Sequence, residues 1–337
     1  MKKFYLFLLA IAAWTNTQAQ GVEEPKKLKA FNHLDVSFTA GTTGLGFDVA
    51  APIGDYVQLR TGFDWMPRWE KEMSFDIQSF SNDGKISSLT EKFDRISKLM
   101  YEVTGYRVDS NIDMIGKPTY WNFKFLVDVF PFRNKHWHFT AGFYWGPSKI
   151  AEAVNATHDS PSLFALGMYN HIYEGVDQTY NHGNPTPFIT YDGREIYLDP
   201  MIEQKVLQLG RLGIHVGDYV NDMYDADGNL IHKAGDPYRM EPDENSMVWA
   251  NAYVNSFKPY LGFGYGGRLI KGNDNYHISF DCGLLLWGGT PDCITHDGTN
   301  LTKDVNNISG KVGDYVDLMS NFKVFPVLNL RLTRRIF

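Results

Sequence analysis

Apolar and polar residues alternate along eight stretches of the chain, at 34–41, 45–52, 56–67, 119–130, 137–146, 259–270, 276–288 and 322–335. A period of two marks a strand with two unlike faces. The first stretch shows it plainly: Leu34, Val36, Phe38 and Ala40 fall on one face, and Asp35, Ser37, Thr39 and Gly41 on the other. The connectors alternate too. The first, third, fifth and seventh span 42–44, 68–118, 147–258 and 289–321, while the second, fourth and sixth span only 53–55, 131–136 and 271–275. Successive connectors of an antiparallel barrel lie on opposite rims. After a short first hairpin, one rim therefore carries every long loop and the other only tight turns. The expected fold is all-β: an eight-stranded antiparallel transmembrane β-barrel with long extracellular loops containing short helices and hairpins.

The two faces differ in chemistry. One carries Phe63, Phe123, Phe125, Phe139, Phe143, Leu261, Phe263, Phe280 and Leu284. The other is small, polar and charged. A soluble eight-stranded barrel fills its lumen with apolar side chains and turns polar ones to water, so the apolar face here is assigned to lipid. The inward charges are Asp35, Asp48, Asp64, Asp128 and Asp281 against Arg60, Lys124, Arg268 and Arg331. Charges in so narrow a lumen must be paired, and their near balance predicts an ion-pair network that plugs the barrel. The tryptophans sort by height. Trp65, Trp121, Trp145 and Trp287 fall at the long-loop rim and Trp137 at the turn rim, as a membrane-interface girdle requires. Trp287 lies in the inner phase and joins the girdle only if its strand end turns.

The ends and the composition fit this topology. Residues 1–19 read as a signal peptide, with Lys2 and Lys3, an apolar run from Phe4 to Trp14, and a small-residue site at Thr17-Gln18-Ala19. Residues 20–33 would be a periplasmic N-terminal segment, and 34–337 the barrel with extracellular insertions at 68–118, 147–258 and 289–321. Mean hydropathy is −0.31, which a barrel permits because lipid-facing and lumen-facing residues alternate. A net charge of −7 gives no general affinity for nucleic acid. Cys282 is assigned mid-strand and Cys293 to a loop, too far apart for a bridge, so two free thiols are expected.

The signal peptide, the eight alternating strands, the short turns and the terminal Phe337 resemble the small eight-stranded outer-membrane barrels, the class of the outer-membrane protein A transmembrane domain. Gly44 to Trp69, Lys117 to Ser148 and Asn255 to Gly267 are also similar to an uncharacterised family of outer-membrane barrel proteins from gut Gram-negative bacteria. The resemblance implies an outer-membrane location and insertion by the barrel-assembly machinery, with Phe337 as the assembly signal. Leu328, Leu330 and Leu332 facing lipid leave Phe337 in the inner phase, so the match calls for a bulge near Arg334-Arg335 or a frayed end.

The long loops hold helix patterns at about 89–104, from Asp199-Pro200 to about 210, and at 161–174, with hairpins turning near Asp192-Gly193 and Asp227-Gly228-Asn229. Chemistry is sparse. Asp225 to Asn229 fails as a calcium loop because its Gly is fourth rather than sixth and no Glu follows at the twelfth position. His136 and His138 read as a polar rim, and no metal site, cofactor or catalytic motif is expected. The expectation is a non-enzymatic outer-membrane barrel with a salt-bridged lumen, whose surface loops serve structural or binding roles toward an unidentified extracellular partner. Outer-membrane lipid is the other expected partner. A small-solute channel and a lipid-modifying membrane enzyme are the alternatives.

Overall fold

A computed structural model describes residues 31–80, 86–87, 90–224, 227–308 and 310–336. The expected signal peptide at 1–19, Ser88, Asp225-Ala226 and Phe337 lie outside the described residues. The strands of the first half are β1 (Asp35–Gly41), β2 (Gly44–Pro52), β3 (Val57–Trp65), β4 (Lys71–Phe80), β5 (Ile86–Ser87), β6 (Asn111–Pro118), β7 (Trp121–Val129), β8 (Trp137–Trp145) and β9 (Lys149–Asn155). Then follow β10 (Ile189–Tyr191), β11 (Arg194–Ile196), β12 (Arg211–Tyr219), β13 (Met223–Tyr224), β14 (Leu230–His232), β15 (Pro237–Met240) and β16 (Trp249–Tyr253). The last are β17 (Phe257–Ile270), β18 (Asn273–Leu285), β19 (Asp292–Thr295), β20 (Val305–Asn306) and β21 (Phe325–Arg335). Among the described residues, four α-helices lie between them: α1 (Thr90–Thr104), α2 (Ser160–Asn181), α3 (Pro200–Leu209) and α4 (Gly310–Asn321).

Eight strands close into a barrel in the order β1-β2-β3-β7-β8-β17-β18-β21, all pairs antiparallel, with β1 sealing against β21. These are the eight stretches whose alternation marks them in the sequence. The register of β21 against β1 and β18 runs without a shift through Arg334, so no bulge falls there. The outward face is apolar and bare: Phe38, Phe47, Phe63, Phe123, Phe139, Leu261, Phe263, Phe280, Leu284, Leu328 and Leu330 are all exposed. Inward neighbours such as Asp48, Asp64, Asn122, Lys124 and Asp128 are buried. Apolar outside and charged inside is the inverse of a soluble barrel. No helix among the described residues is long and apolar enough to cross a membrane.

The three long insertions do not end as separate loops. They pool most of their strands into one second sheet, in the order β15-β12-β4-β6-β9-β16-β19, with β20 added to β12 and β5 to β4, while β10–β11 and β13–β14 remain separate hairpins. The middle of that order mirrors the barrel wall. β4, β6, β9, β16 and β19 continue β3, β7, β8, β17 and β18 beyond the long-loop rim in the same sequence. Pro67, Pro118, Pro147 and Pro291 stand at four of these five crossings. Proline cannot donate to a ladder, so each wall strand is interrupted there. Backbone bonds nevertheless bridge the joint, from Met66 N to Tyr120 O (2.9 Å), Thr119 N to Ile150 O (2.9 Å) and Val254 N to Ser148 O (2.9 Å). The second sheet with its helices is called the cap below.

The cap has a core of its own. Ile77, Ile112, Met114, Leu212, Ile214, Val216 and Met240 of the sheet pack with Ile96 and Met100 of α1, Leu163, Leu166 and Tyr169 of α2, and Val316 of α4. Full burial of each such side chain stabilises by about 1.5–3 kcal/mol. α1 ends at Gly105, whose φ of +78° suits the left-handed stop of a helix. α2 runs beyond the expected 161–174 because Tyr173 and Val176 extend its buried stripe. The Asp199 side chain caps α3 by accepting from Met201 N (2.8 Å). The hairpin β10–β11 turns through Asp192 and Gly193, both at positive φ, as a two-residue hairpin loop of this kind requires.

The cysteines stay unpaired, as their spacing predicts, but Cys293 lies on β19 in the cap core and not in a loop. Burial pushes its thiol up to about 11, which leaves almost no reactive thiolate at neutral pH. In the folded protein Cys293 should therefore resist a maleimide and become labelled only on unfolding. Labelling stoichiometry by mass, with and without denaturant, checks this.

Candidate functional site

The lumen holds a contiguous network of charges. Lys124 Nζ lies 2.6 Å from Asp64 Oδ1 and 2.7 Å from Asp48 Oδ1. Arg60 reaches Asp128 (2.9 Å), Asp48 (3.4 Å) and Asp281 (3.5 Å). Arg331 reaches Asp281 (3.2 Å) and Asp128 (3.6 Å) and donates from Nε to Ser279 Oγ (3.0 Å). Two of these contacts cross the whole barrel. β3 and β18 stand opposite in the ring, as do β7 and β21, so Arg60–Asp281 and Arg331–Asp128 span its diameter. Inward glycines make the room. A Cβ at Gly62 would sit 2.1 Å from Asp48 Oδ1, and one at Gly264 would sit 2.4 Å from Asp281 Oδ1.

Seven of the nine charges assigned to the lumen from the sequence meet in this cluster. Two do not. Asp35 lies at the turn rim, where Gln58, Arg335 and His33 surround it. Arg268 is exposed and pairs with Asp274 beside the β17–β18 turn; the strands outrun the barrel interior there, so an inward phase no longer means a lumen position. Other members escape the sequence reading. His138 is buried with Nε2 2.8 Å from Asp281 Oδ1, so it belongs to the network and not to a polar rim. Strict alternation from Trp137 already puts it inward. Lys258 is fully buried at the long-loop mouth, donates to Asn122 Oδ1 (3.0 Å), and faces the Tyr120 ring.

Toward the long-loop rim the filling becomes apolar. Leu126, Tyr144, Tyr260, Leu285 and Val327 pack across the lumen with Phe325. Trp287 joins this layer. β18 ends at Leu285, and the indole is buried, tilted against the Phe325 ring at 5.0 Å, with Nε1 donating to Phe322 O (2.9 Å). It therefore leaves the girdle, because its inner phase persists past the strand end. Trp65, Trp121 and Trp145 stay exposed at the long-loop rim and Trp137 at the other, with Phe63 stacked on Trp121 at 5.7 Å.

The cap offers the remaining chemistry. α2 is keyed into the sheet by Asn170, whose side chain donates to Leu212 O (2.7 Å) and accepts from Leu212 N (3.0 Å) as a strand would. The Tyr238 hydroxyl on β15 donates to Asp297 Oδ2 (2.9 Å), beside Thr295 on β19, so the two ends of the cap sheet meet. Asp113, His158 and Asp159 bring candidate ligand atoms within 4.8 Å of one another; Asp159 also accepts from Asp113 N (2.7 Å). A cleft of about 330 Å³ lies between α2 and α3.

No family model matches the chain, and no curated protein does. Solved structures similar to it include Acinetobacter baumannii CarO2, with 13% identity and a TM-score of 0.35 over 90% of this chain and 98% of that one. Acinetobacter baumannii CarO follows at 12% and 0.34, covering 90% and 97%. A major outer membrane protein from Thermus thermophilus has 11% and 0.25, covering 90% and 98%. The class follows from the chain's own geometry. A closed ring of eight strands, a bare apolar belt bounded by tryptophans, and a charged, filled lumen make this chain a small β-barrel protein of the outer membrane.

Proposed function

We propose that the barrel is a closed anchor and that the cap is the working part, a folded domain held outside the cell to bind or to support other surface components. The observation that carries this reading is the pair of diametric contacts, Arg60–Asp281 and Arg331–Asp128. Together with the aromatic layer above them they fill a lumen that eight strands already make narrow. The role proposed is non-enzymatic. The cap supports the anchor reading, because the three insertions combine most of their strands into one sheet with a continuous core, which is the construction of a domain and not of three gating loops.

Planar-bilayer recording of the refolded chain tests the proposal. The native protein should show no conductance steps. The double variant Arg60→Ala/Arg331→Ala, which cuts both diametric ties, should conduct if it folds. Steps from the native protein would overturn the closed-anchor reading in favour of a small-solute channel.

The same network predicts a stability effect. Arg60→Met removes the cation shared by Asp48, Asp128 and Asp281 while keeping most of the volume. Breaking one member of a buried ion cluster costs about 3–5 kcal/mol. Urea unfolding of the variant in lipid vesicles should show a loss of that order.

A further inference from the structure

We infer that the cleft between α2 and α3 is a binding site for a small organic cation, an amine carried on an apolar body. The inference rests on the cap being the working part of the protein and names what one of its surfaces takes. The cleft has a volume of about 330 Å³, at the small end for ligand pockets. Its apolar walls come from Val176, Phe188 and Leu198, and its polar groups are His171, Glu174 and Glu203. Among the described residues, no lysine or arginine lines it.

The two carboxylates give the cleft its character. Glu203 sits in the first turn of α3 and is nine-tenths buried. The Tyr180 hydroxyl donates to it, but among the described residues it forms no ion pair. Glu174, on α2, stands exposed at the edge of the cleft and, among the described residues, forms none either. Arg211 acts on Glu174 at a distance, yet its fork is committed to Glu241, with Nε at 2.7 Å from Oε1 and Nη2 at 2.8 Å from Oε2. A carboxylate taken out of water favours a cationic partner, and a cation entering the cleft would add to the Tyr180 hydrogen bond that Glu203 already accepts.

A bare metal ion fits less well. Among the described residues, the trio whose ligand atoms all lie within 4.8 Å is Asp113, His158 and Asp159; His171, Glu174 and Glu203 are not gathered so tightly. Carboxylates set apart along an apolar cleft suit an ammonium group with a hydrocarbon body lying against Phe188 and Leu198. The hydrocarbon contributes by burial and the ammonium by charge-assisted hydrogen bonds.

Isothermal titration of the full-length, refolded protein in detergent micelles tests the site, with phenethylamine as the probe and 2-phenylethanol as its neutral counterpart. The amine should bind saturably, and the alcohol about tenfold more weakly or worse. Glu203→Gln should weaken the amine about tenfold, Glu174→Gln less, and the exposed Glu244→Gln not at all. Leu198→Trp, which fills the cleft while keeping both carboxylates, should also abolish binding; far-ultraviolet circular dichroism establishes that each variant is folded. Equal affinity for the alcohol, an unchanged Glu203→Gln, or no heat up to about 10 mM amine would overturn the inference. Conductance read on the same preparation separates the two ideas. A silent barrel without amine binding removes this site and leaves the closed anchor standing, whereas a conducting barrel with amine binding does the reverse.

Discussion

In hydrocarbon there is no water to satisfy a backbone N–H or C=O, so every strand in the membrane must find a partner on both sides. The seal between β1 and β21 meets that demand, and much of the rest follows from it. A closed ring of eight strands has a fixed, narrow interior. Alternation sends every second side chain into that interior, and the outward face has to be apolar. The inward residues are then polar by exclusion and must satisfy one another across a short distance. Arg60 and Arg331 do so by reaching the opposite wall. Gly62 and Gly264 stay bare so that the carboxylates opposite them fit.

Beyond the membrane the constraint relaxes, and the same ladder is put to a different use. Five wall strands are interrupted, four of them at prolines, and resume as the centre of the cap sheet in unchanged order. Pairing inherited from the barrel brings β4, β6, β9, β16 and β19 side by side without a separate search for register. β12 and β15 are then added from within the longest insertion, and α1, α2 and α4 cover the apolar face. The barrel thus serves as the template of the domain it carries. This division of labour, with a rigid, filled anchor below and a folded, cleft-bearing domain above, underlies the functional reading.

Much of the barrel could be read directly from residue order. Period-two alternation is a local property, and the lipid enforces it on every membrane strand, so all eight barrel strands, the alternating connector lengths and three of the four helices were evident. Charged residues at inward positions were evident for the same reason, and seven of the nine did converge. The exceptions mark where the enforcement stops. Arg268 lies past the hydrocarbon, where a strand phase no longer distinguishes lumen from water, and Asp35 lies at the turn rim among Gln58, Arg335 and His33.

The cap sheet was illegible for a physical reason. Lys71–Phe80 alternates as well as any barrel strand, but its partners are β6 and β12, drawn from different insertions and well separated in the chain. Short strands of this kind gain their stability from pairing and burial that only the assembled fold supplies. Helix α4, inside the third insertion, is likewise fixed by the core it covers. The pairing of Arg60 with Asp281 depends on which strands stand opposite in the closed ring, and the cleft at Glu203 depends on how α2 and α3 pack. Residue order alone therefore determined the barrel, its membrane-facing belt and the inward placement of its charges, because each is set by local alternation against a uniform solvent. Only the tertiary structure decided the plug, the cap and its cleft, because each is made by residues that meet through long-range packing.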